Sequence, residues 1–372
     1  MRTYFILFLI LFMNSCSLDK TEEVINQVPK SKTFYKGMDL SFQMELESYN
    51  LSYKDKNNNP IEILSFVKQN GCNLVRLKIW HTPLDGQNTL AKVKAYALKL
   101  KAQQIDFLLD FHYSDYWADP SNQTPPQAWQ NLTQDQIRQE IYLYTKNVLS
   151  ELSNQGTMPK IIQIGNETDS GFLWNYGKVW NEFNANWSNL AQLYTKSAQA
   201  VREVGGSEVK IMLHHSSVEN SIYYFNKLAP FSLDYDVIGV SYYPQFQIKD
   251  LDLVQTKLNT LASTFSKEIM IVEVAYPFTL DYNDSSANYI GFSSQIITNY
   301  PATPSGQKDF MLKMISILKN IPDNKGIGLC YWAPDWVAFT GNQVTSTAGS
   351  SWENQCLWDF NLKALPAMDV FQ

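Results

Sequence analysis

Short apolar runs alternate along this chain with stretches in which apolar residues recur every three or four positions. The runs at 35–39, 74–79, 106–110, 161–164, 210–213, 237–241, 269–272 and 326–331 read as strands. Near-continuous apolar runs of this length suit parallel strands buried on both faces. Between most of them lies a helical pattern. The stretch 90–103 repeats through Leu90, Val93, Ala97 and Leu100, and 134–152 through Ile137, Ile141, Tyr144 and Leu152. The stretches 187–204, 251–265 and 307–321 follow the same period. Strand–helix alternation predicts parallel βα units, and about eight of them predict an α/β fold closed as a (β/α)8 barrel. An open doubly wound sheet is the runner-up, but no glycine-rich phosphate turn follows the first strand. The loops after the first, third, fourth, seventh and eighth strands are long and rich in Trp, Tyr and Asp. That places a binding cleft at the strands' C-terminal ends. With no internal repeat, 34–372 is expected to be a single catalytic domain.

Composition narrows the partners. The 372 residues are 45% hydrophobic and 18% charged, with a formal net charge of −6. No basic run occurs, which argues against a nucleic-acid or anionic-membrane partner. Aromatics make up 14% of the chain, with 10 Trp and 21 Tyr. They suit either a large core or a cleft that stacks on the apolar faces of sugar rings.

The N-terminus reads as a targeting segment. Met1-Arg2 supplies charge, and the apolar run from Tyr4 to Met13 is too short to span a bilayer as a helix. Asn14-Ser15-Cys16 follows, a small residue directly before a cysteine, which resembles a bacterial lipoprotein signal lipidated on Cys16. An ordinary secretory signal that happens to contain a cysteine is the alternative. On the lipoprotein reading, 1–16 is the signal ending at Cys16 and 17–33 is a polar tether carrying Asp19, Glu22 and Glu23. The protein would cross the inner membrane and be held at the outer membrane or cell surface by lipid alone. Cys72, Cys330 and Cys356 remain, without CxxC spacing, so a zinc or redox site is not expected. An oxidising compartment permits one disulfide, and Cys330 with Cys356 is the pair to consider, although spacing does not decide it.

Two carboxylates carry the chemistry. The run Ile161-Ile162-Gln163-Ile164-Gly165-Asn166-Glu167 and the run Ile269-Met270-Ile271-Val272-Glu273 each end a strand on a glutamate. Two carboxylates meeting at one end of a barrel are what glycoside hydrolysis needs. Each has a plain structural counter-reading: Gly-Asn-Glu as a turn, and Glu273 as one half of a buried ion pair. The repetition of the pattern on two strands favours chemistry. Asn166 is placed to hydrogen-bond a sugar 2-OH. Arg76 is placed to neutralise and orient Glu273, or else to form a structural ion pair. His112, His214 and His215 stand near strand ends and suggest a polar cleft, although a lone His is more often structural. Tyr242 is a candidate hydrogen-bond partner of Glu273, and Trp332 a candidate stacking platform; core or rim packing explains either equally well.

At this point the residues resemble a known family, the arabinogalactan endo-β-1,4-galactanases of glycoside hydrolase family 53. The resemblance runs through Gly37-Met38-Asp39-Leu40-Ser41 and Asn73-Leu74-Val75-Arg76-Leu77-Lys78-Ile79-Trp80. It continues through Leu109 to Pro120 and Gln163 to Glu167, and closes with Gly239 to Pro244, Val272 to Pro277 and Ser351 to Gln355. It implies a TIM barrel, retention of anomeric configuration, Glu167 as acid/base and Glu273 as nucleophile. It implies β-1,4-galactan and galacto-oligosaccharides as partners. Asp39, Arg76, Trp80, His112, Asp115, Trp117, Asn166, His214, Tyr242 and Trp332 become the substrate-binding set, no cofactor is needed for catalysis, and a monomer is the expectation.

Two departures stand out. Where the family carries an aromatic and then Trp-His after Ser-Tyr-Tyr-Pro, this chain has Gln245-Phe246-Gln247. The bacterial calcium positions after the seventh strand correspond to Tyr282, Asp284, Ser286 and Asn288, of which Asp284 and Asn288 suit a cation and Tyr282 supplies no carboxylate, which weakens the site. The rival readings are another retaining β-glycanase, acting on mannan or glucan, and a non-catalytic glycan-binding lipoprotein.

Overall fold

The computed structural model describes residues 33–179, 185–339 and 349–372. The expectations for the signal at 1–16, for Cys16 and for the tether at 17–33 apart from Thr33 lie outside the described residues. The eight apolar runs all form strands: β1 (Tyr35–Asp39), β2 (Leu74–Ile79), β3 (Asp106–Phe111), β4 (Ile161–Ile164), β5 (Lys210–His215), β6 (Val237–Tyr242), β7 (Glu268–Val274) and β8 (Gly326–Tyr331). They pair in parallel in chain order, and β8 returns to β1, so the sheet closes and the open-sheet alternative falls.

The helices are α1 (Gln43–Leu46), α2 (Ile63–Gln69), α3 (Leu90–Ala102), α4 (Gln134–Asn154), α5 (Trp187–Gly205), α6 (Ser221–Leu228), α7 (Leu251–Phe265) and α8 (Pro304–Lys319). Five match the periodic stretches to within three residues at either end. Their starts are set by side-chain caps. Thr89, Asp250 and Thr303 accept backbone N–H bonds from the first turn, and Thr133 with Gln136 forms a reciprocal capping box. The short α1, α2 and α6 were not anticipated, because one or two turns leave too few repeats for a period to register.

Alternation along each strand separates two environments. Val75, Leu77 and Ile79 face the helices. Leu74, Leu108, Ile161, Met212, Val237, Met270, Val272, Ile327 and Cys330 fill the barrel interior. One pleat further towards the C-terminal ends, the inward positions turn polar: Asp39, Arg76, Asp110, Gln163, His214 and Ser241, all buried. The site therefore rests on an apolar plug.

Strict alternation would send Glu273 outward, since Met270 and Val272 already face inward. A bulge corrects this. Pairing with β6 runs Val240 to Ile271 and then Ser241 to Glu273, leaving Val272 unmatched, and the β7–β8 register shifts in the same stretch. The extra residue turns Glu273 into the barrel mouth.

Cys330 and Cys356 are both free, as is Cys72. Cys330 packs inside the barrel and Cys356 in the core outside it, so the wall of β8 separates the two candidates for a disulfide.

Gly328 sits in β8 at φ 148°, and an added Cβ would stand 2.2 Å from the Tyr35 carbonyl oxygen across the β1–β8 seam. Gly328→Ala is expected to destabilise the fold by roughly 2–5 kcal/mol through backbone strain and overpacking. Chemical denaturation monitored by tryptophan fluorescence would check it, and an unchanged midpoint would contradict the account of the seam.

Candidate active site

Arg76 rises from β2 into the barrel mouth and is almost wholly buried. Its fork reaches three carboxylates: Nη1 to Asp39 at 2.8 Å, and Nη2 to Asp110 and to Glu273 at 2.9 Å each. Nη2 also donates to Asn166 Oδ1 at 2.8 Å, and Nε to Gln163 Oε1 at 3.2 Å. The surrounding acids push the guanidinium pKa up and outweigh the opposing effect of burial.

Glu273, at the β7 bulge, receives Arg76 on Oε1 and the Tyr243 hydroxyl on Oε2 at 2.9 Å. Burial pushes its pKa up to about 6, while Arg76 and Tyr243 hold it down and Asp39 and Asp110 add to the rise. Glu167 follows Gly165-Asn166 in the turn after β4, itself in the left-handed region at φ 43°. A non-glycine residue there is strained, which fits a side chain aimed for a purpose. Ser241 Oγ donates to Glu167 Oε1 at 2.7 Å. His214 lies beneath: Nε2 stands 3.0 Å from Ser241 Oγ, and the Glu167 backbone N–H donates to Nδ1 at 3.2 Å. With Nδ1 accepting, the ring proton sits on Nε2 and points at Ser241. Burial pushes the His214 pKa well below its usual value, with Arg76 adding to the effect, so the ring is neutral. Burial, then the charges of Glu273 and Asp169, drive the Glu167 pKa well above the usual carboxylate range.

Carboxylate oxygens of Glu167 and Glu273 and a ring nitrogen of His214 lie within 4.8 Å of one another. The two glutamates thus share one small space and differ in their partners: one touches a cation, the other a neutral hydroxyl. They line a cleft of about 720 Å³.

Of the predicted binding residues, Arg76, His112, Trp117, Asn166 and Trp332 also line that cleft. His112 is fixed from behind, since Trp80 Nε1 and the Ala118 N–H donate to Nδ1 and leave Nε2 to Asp110. The other five stand away from the cleft surface. Asp39 is buried against Arg76 and the Ser41 N–H. Trp80 is buried behind His112. Asp115 accepts from the Thr82 and Gln127 N–H groups and ties two loops together. His214 lies under Glu167. Tyr242 points outward to the Ile248 carbonyl, so the expected bond to Glu273 belongs to Tyr243. Ser241 and Gln163 also escaped the sequence reading. Alternation from Gly239 would have found Ser241 and Tyr243 together, since both share its face.

In the Gln245-Phe246-Gln247 departure, Gln247 Nε2 donates to the Ser216 and Ser241 carbonyls, which joins the loops after β5 and β6, and Phe246 lines the cleft. After β7, Asp284 accepts the Ser286 N–H at 2.6 Å on Oδ1 and the Ser350 N–H at 2.8 Å on Oδ2. Glu353 Oε1 accepts from the Asn283 and Asp284 N–H groups. Asn288 Nδ2 donates to the Asp281 carbonyl at 3.2 Å, and Tyr282 is exposed.

Comparison with known proteins follows the same residues. A family model described as Glycosyl hydrolase family 53 matches residues 35–371. An arabinogalactan endo-beta-1,4-galactanase of Cellvibrio japonicus is 33% identical over 353 residues, covering 93% of this chain and 92% of that protein. The solved GH53 catalytic domain of Ignisphaera aggregans matches with a TM-score of 0.85 at 33% identity, covering 91% of this chain and 95% of its own. A structure of fungal beta-1,4-galactanases gives a TM-score of 0.79 at 31% identity, covering 91% and 98%. The family model spans all eight strands, and the chain belongs to glycosyl hydrolase family 53.

Proposed function

We propose that this chain is a retaining endo-β-1,4-galactanase that cleaves galactan side chains by double displacement. The observation that carries it is the carboxylate pair within 4.8 Å, one member on Arg76 and the other on the Ser241 hydroxyl with no ion-pair partner among the described residues. Retaining glycosidases hold their carboxyl groups about 5–5.5 Å apart, whereas inverting ones leave about 6.5–9.5 Å for a water. Glu273, kept the more acidic by Arg76 and Tyr243, attacks the anomeric carbon. Glu167, kept protonated by burial and by the negative charge of its partner, gives its proton to the leaving oxygen. Once Glu273 is esterified its charge is gone, the Glu167 pKa falls, and Glu167 takes a proton from the attacking water. No step calls for a cofactor. Galactan as substrate is supported by what the relatives in Cellvibrio and the fungi are named for.

A timed digest of galactan, with mannan and cellulose in parallel, should release galacto-oligosaccharides from galactan alone. Products from mannan or cellulose would favour the rival glycanase, and binding without any product the glycan-binding lipoprotein. Glu167→Gln should lower kcat by about 10²–10⁴-fold with oligosaccharide binding retained. Wild-type kcat/KM should trace a bell. Its acid limb rises as Glu273 ionises, near pH 6 or below, and its alkaline limb falls as Glu167 loses its proton. Glu167→Gln should abolish the alkaline limb of kcat measured at saturating substrate; persistence of that limb would reassign the acid.

We further propose that the loop after β7 holds its shape without calcium. Asp284 and Glu353 Oε1 already bind backbone N–H groups, and the buried oxygens left there without a hydrogen bond among the described residues are Glu353 Oε2, Asn288 Oδ1 and Asn354 Oδ1. Calcium takes about 6–8 oxygen ligands. Exhaustive chelation should leave the melting temperature unchanged, and a drop reversed by added calcium would contradict this.

For the N-terminus, the apolar run followed by Ser15-Cys16 supports a lipoprotein signal at 1–16, a tether at 17–33 and an enzyme held at the outer membrane or cell surface. Labelled palmitate should enter the wild-type chain and not Cys16→Ser; equal labelling would refute the anchor.

A further inference from the structure

Among the described residues, Lys78 is the one cation lining the cleft that the double displacement does not use. It follows Arg76 on the inward face of β2 and is 3% exposed. Its Nζ stands 4.0 Å from the Trp117 ring centroid, 4.4 Å from Phe42 and 5.4 Å from Trp80. Among the described residues Nζ has no hydrogen-bond or ion-pair partner; only the backbone N–H of Lys78 is bonded, to Ser41 Oγ. A buried ammonium with three free donors is costly unless something accepts from it. Three aromatic faces stabilise its charge but accept no ordinary hydrogen bond.

The position of Lys78 says which part of a substrate it meets. Glu167 is held by Ser241 of β6, so the leaving oxygen lies on the β6 side of the pair. In a closed eight-stranded barrel β2 is diametrically opposite β6. A sugar chain threaded past the two glutamates therefore runs its non-leaving, glycone part over β2. There Trp117 and Trp332 offer apolar ring faces, with centroids 6.2 Å apart.

We propose that the Lys78 ammonium is a glycone-binding residue, donating hydrogen bonds to sugar hydroxyls or ring oxygens while Trp117 presents an apolar face beside it. This rests on the hydrolase reading above and adds a subsite to it. The charged groups around Nζ come from every neighbouring element: Asp39 on β1, Arg76 on β2, Asp110 on β3, Glu45 on α1 and Asp335 in the loop after β8. Burial lowers the ammonium pKa to about 8; Arg76 pushes it the same way and the acids Asp39, Asp110 and Asp335 oppose. Asp335 is itself pushed up to about 7 by burial, against the Gln43 amide that donates to it. The donor is thus fully charged below neutrality and lost on the alkaline side.

The test is calorimetric binding of β-1,4-galactotetraose to the inactive Glu167→Gln chain, which removes turnover and the Glu167 titration. Adding Lys78→Met should weaken binding about 10- to 100-fold, the loss of charged hydrogen bonds. Adding Lys78→Arg should restore most of it. With Lys78 intact, affinity should fall as pH rises from 7 to about 9, and in Lys78→Met that dependence should vanish. Unchanged affinity in Lys78→Met overturns the assignment while leaving the hydrolase reading intact. If Lys78→Met fails to fold, a flat affinity across that pH range in the Lys78 chain overturns it equally. Failure of Glu167→Gln alone to bind the tetrasaccharide overturns both readings.

Discussion

One buried guanidinium organises the polar end of this barrel. Asp39, Asp110 and Glu273 converge on Arg76, the one cation within ion-pair distance of all three among the described residues. Its planar fork matters as much as its charge. Five donors at fixed angles reach β1, β3, β4 and β7 at once, which a lysine ammonium could not do. Removing it would leave several buried charges unmatched, a loss of about 3–5 kcal/mol or more. It also makes two like side chains unlike. Glu273 touches the cation directly, whereas Glu167 meets a serine hydroxyl backed by a neutral histidine.

That arrangement depends on the layer beneath it. The inward faces of the strands are apolar at one level and polar at the next, so the plug that closes the barrel also forms the floor of the site. Apolar packing lies beneath the carboxylates, and the ion pairs and hydrogen bonds of Arg76, Ser241 and Tyr243 hold them in place.

Much of this was legible in the residues. The strands announced themselves because runs such as Val237 to Val240 and Ile269 to Val272 are apolar almost throughout, as burial on both faces requires. Glu167 and Glu273 stood out because a carboxylate ending such a run needs a reason. What was not legible depended on direction or on contacts distant in sequence. Tyr242 and Tyr243 are identical in type and adjacent, and only the pleat assigns one to the Ile248 carbonyl and the other to Glu273. Asp115 sits within the Leu109 to Pro120 stretch of the resemblance and is a loop tie. Cys330 and Cys356 look pairable by count, yet a strand wall lies between them. α6 is too short to show a period. The roles of Asp284 and Glu353 required knowing that the loops after β7 and β8 meet.

The unmatched Val272 has a consequence of its own. At that point of β7 the spacing of the chain, as well as the identity of its side chains, determines where Glu273 is aimed. In β7 Met270 and Val272 face inward two apart and Glu273 is reached by an odd step, and β8 carries a shift of its own, with Ile327 and Cys330 both inward and three apart. A strand of strict alternation in the place of β7 would turn the residue at this position against the helices. An insertion or deletion of one residue there would be felt as severely as a substitution of the glutamate itself.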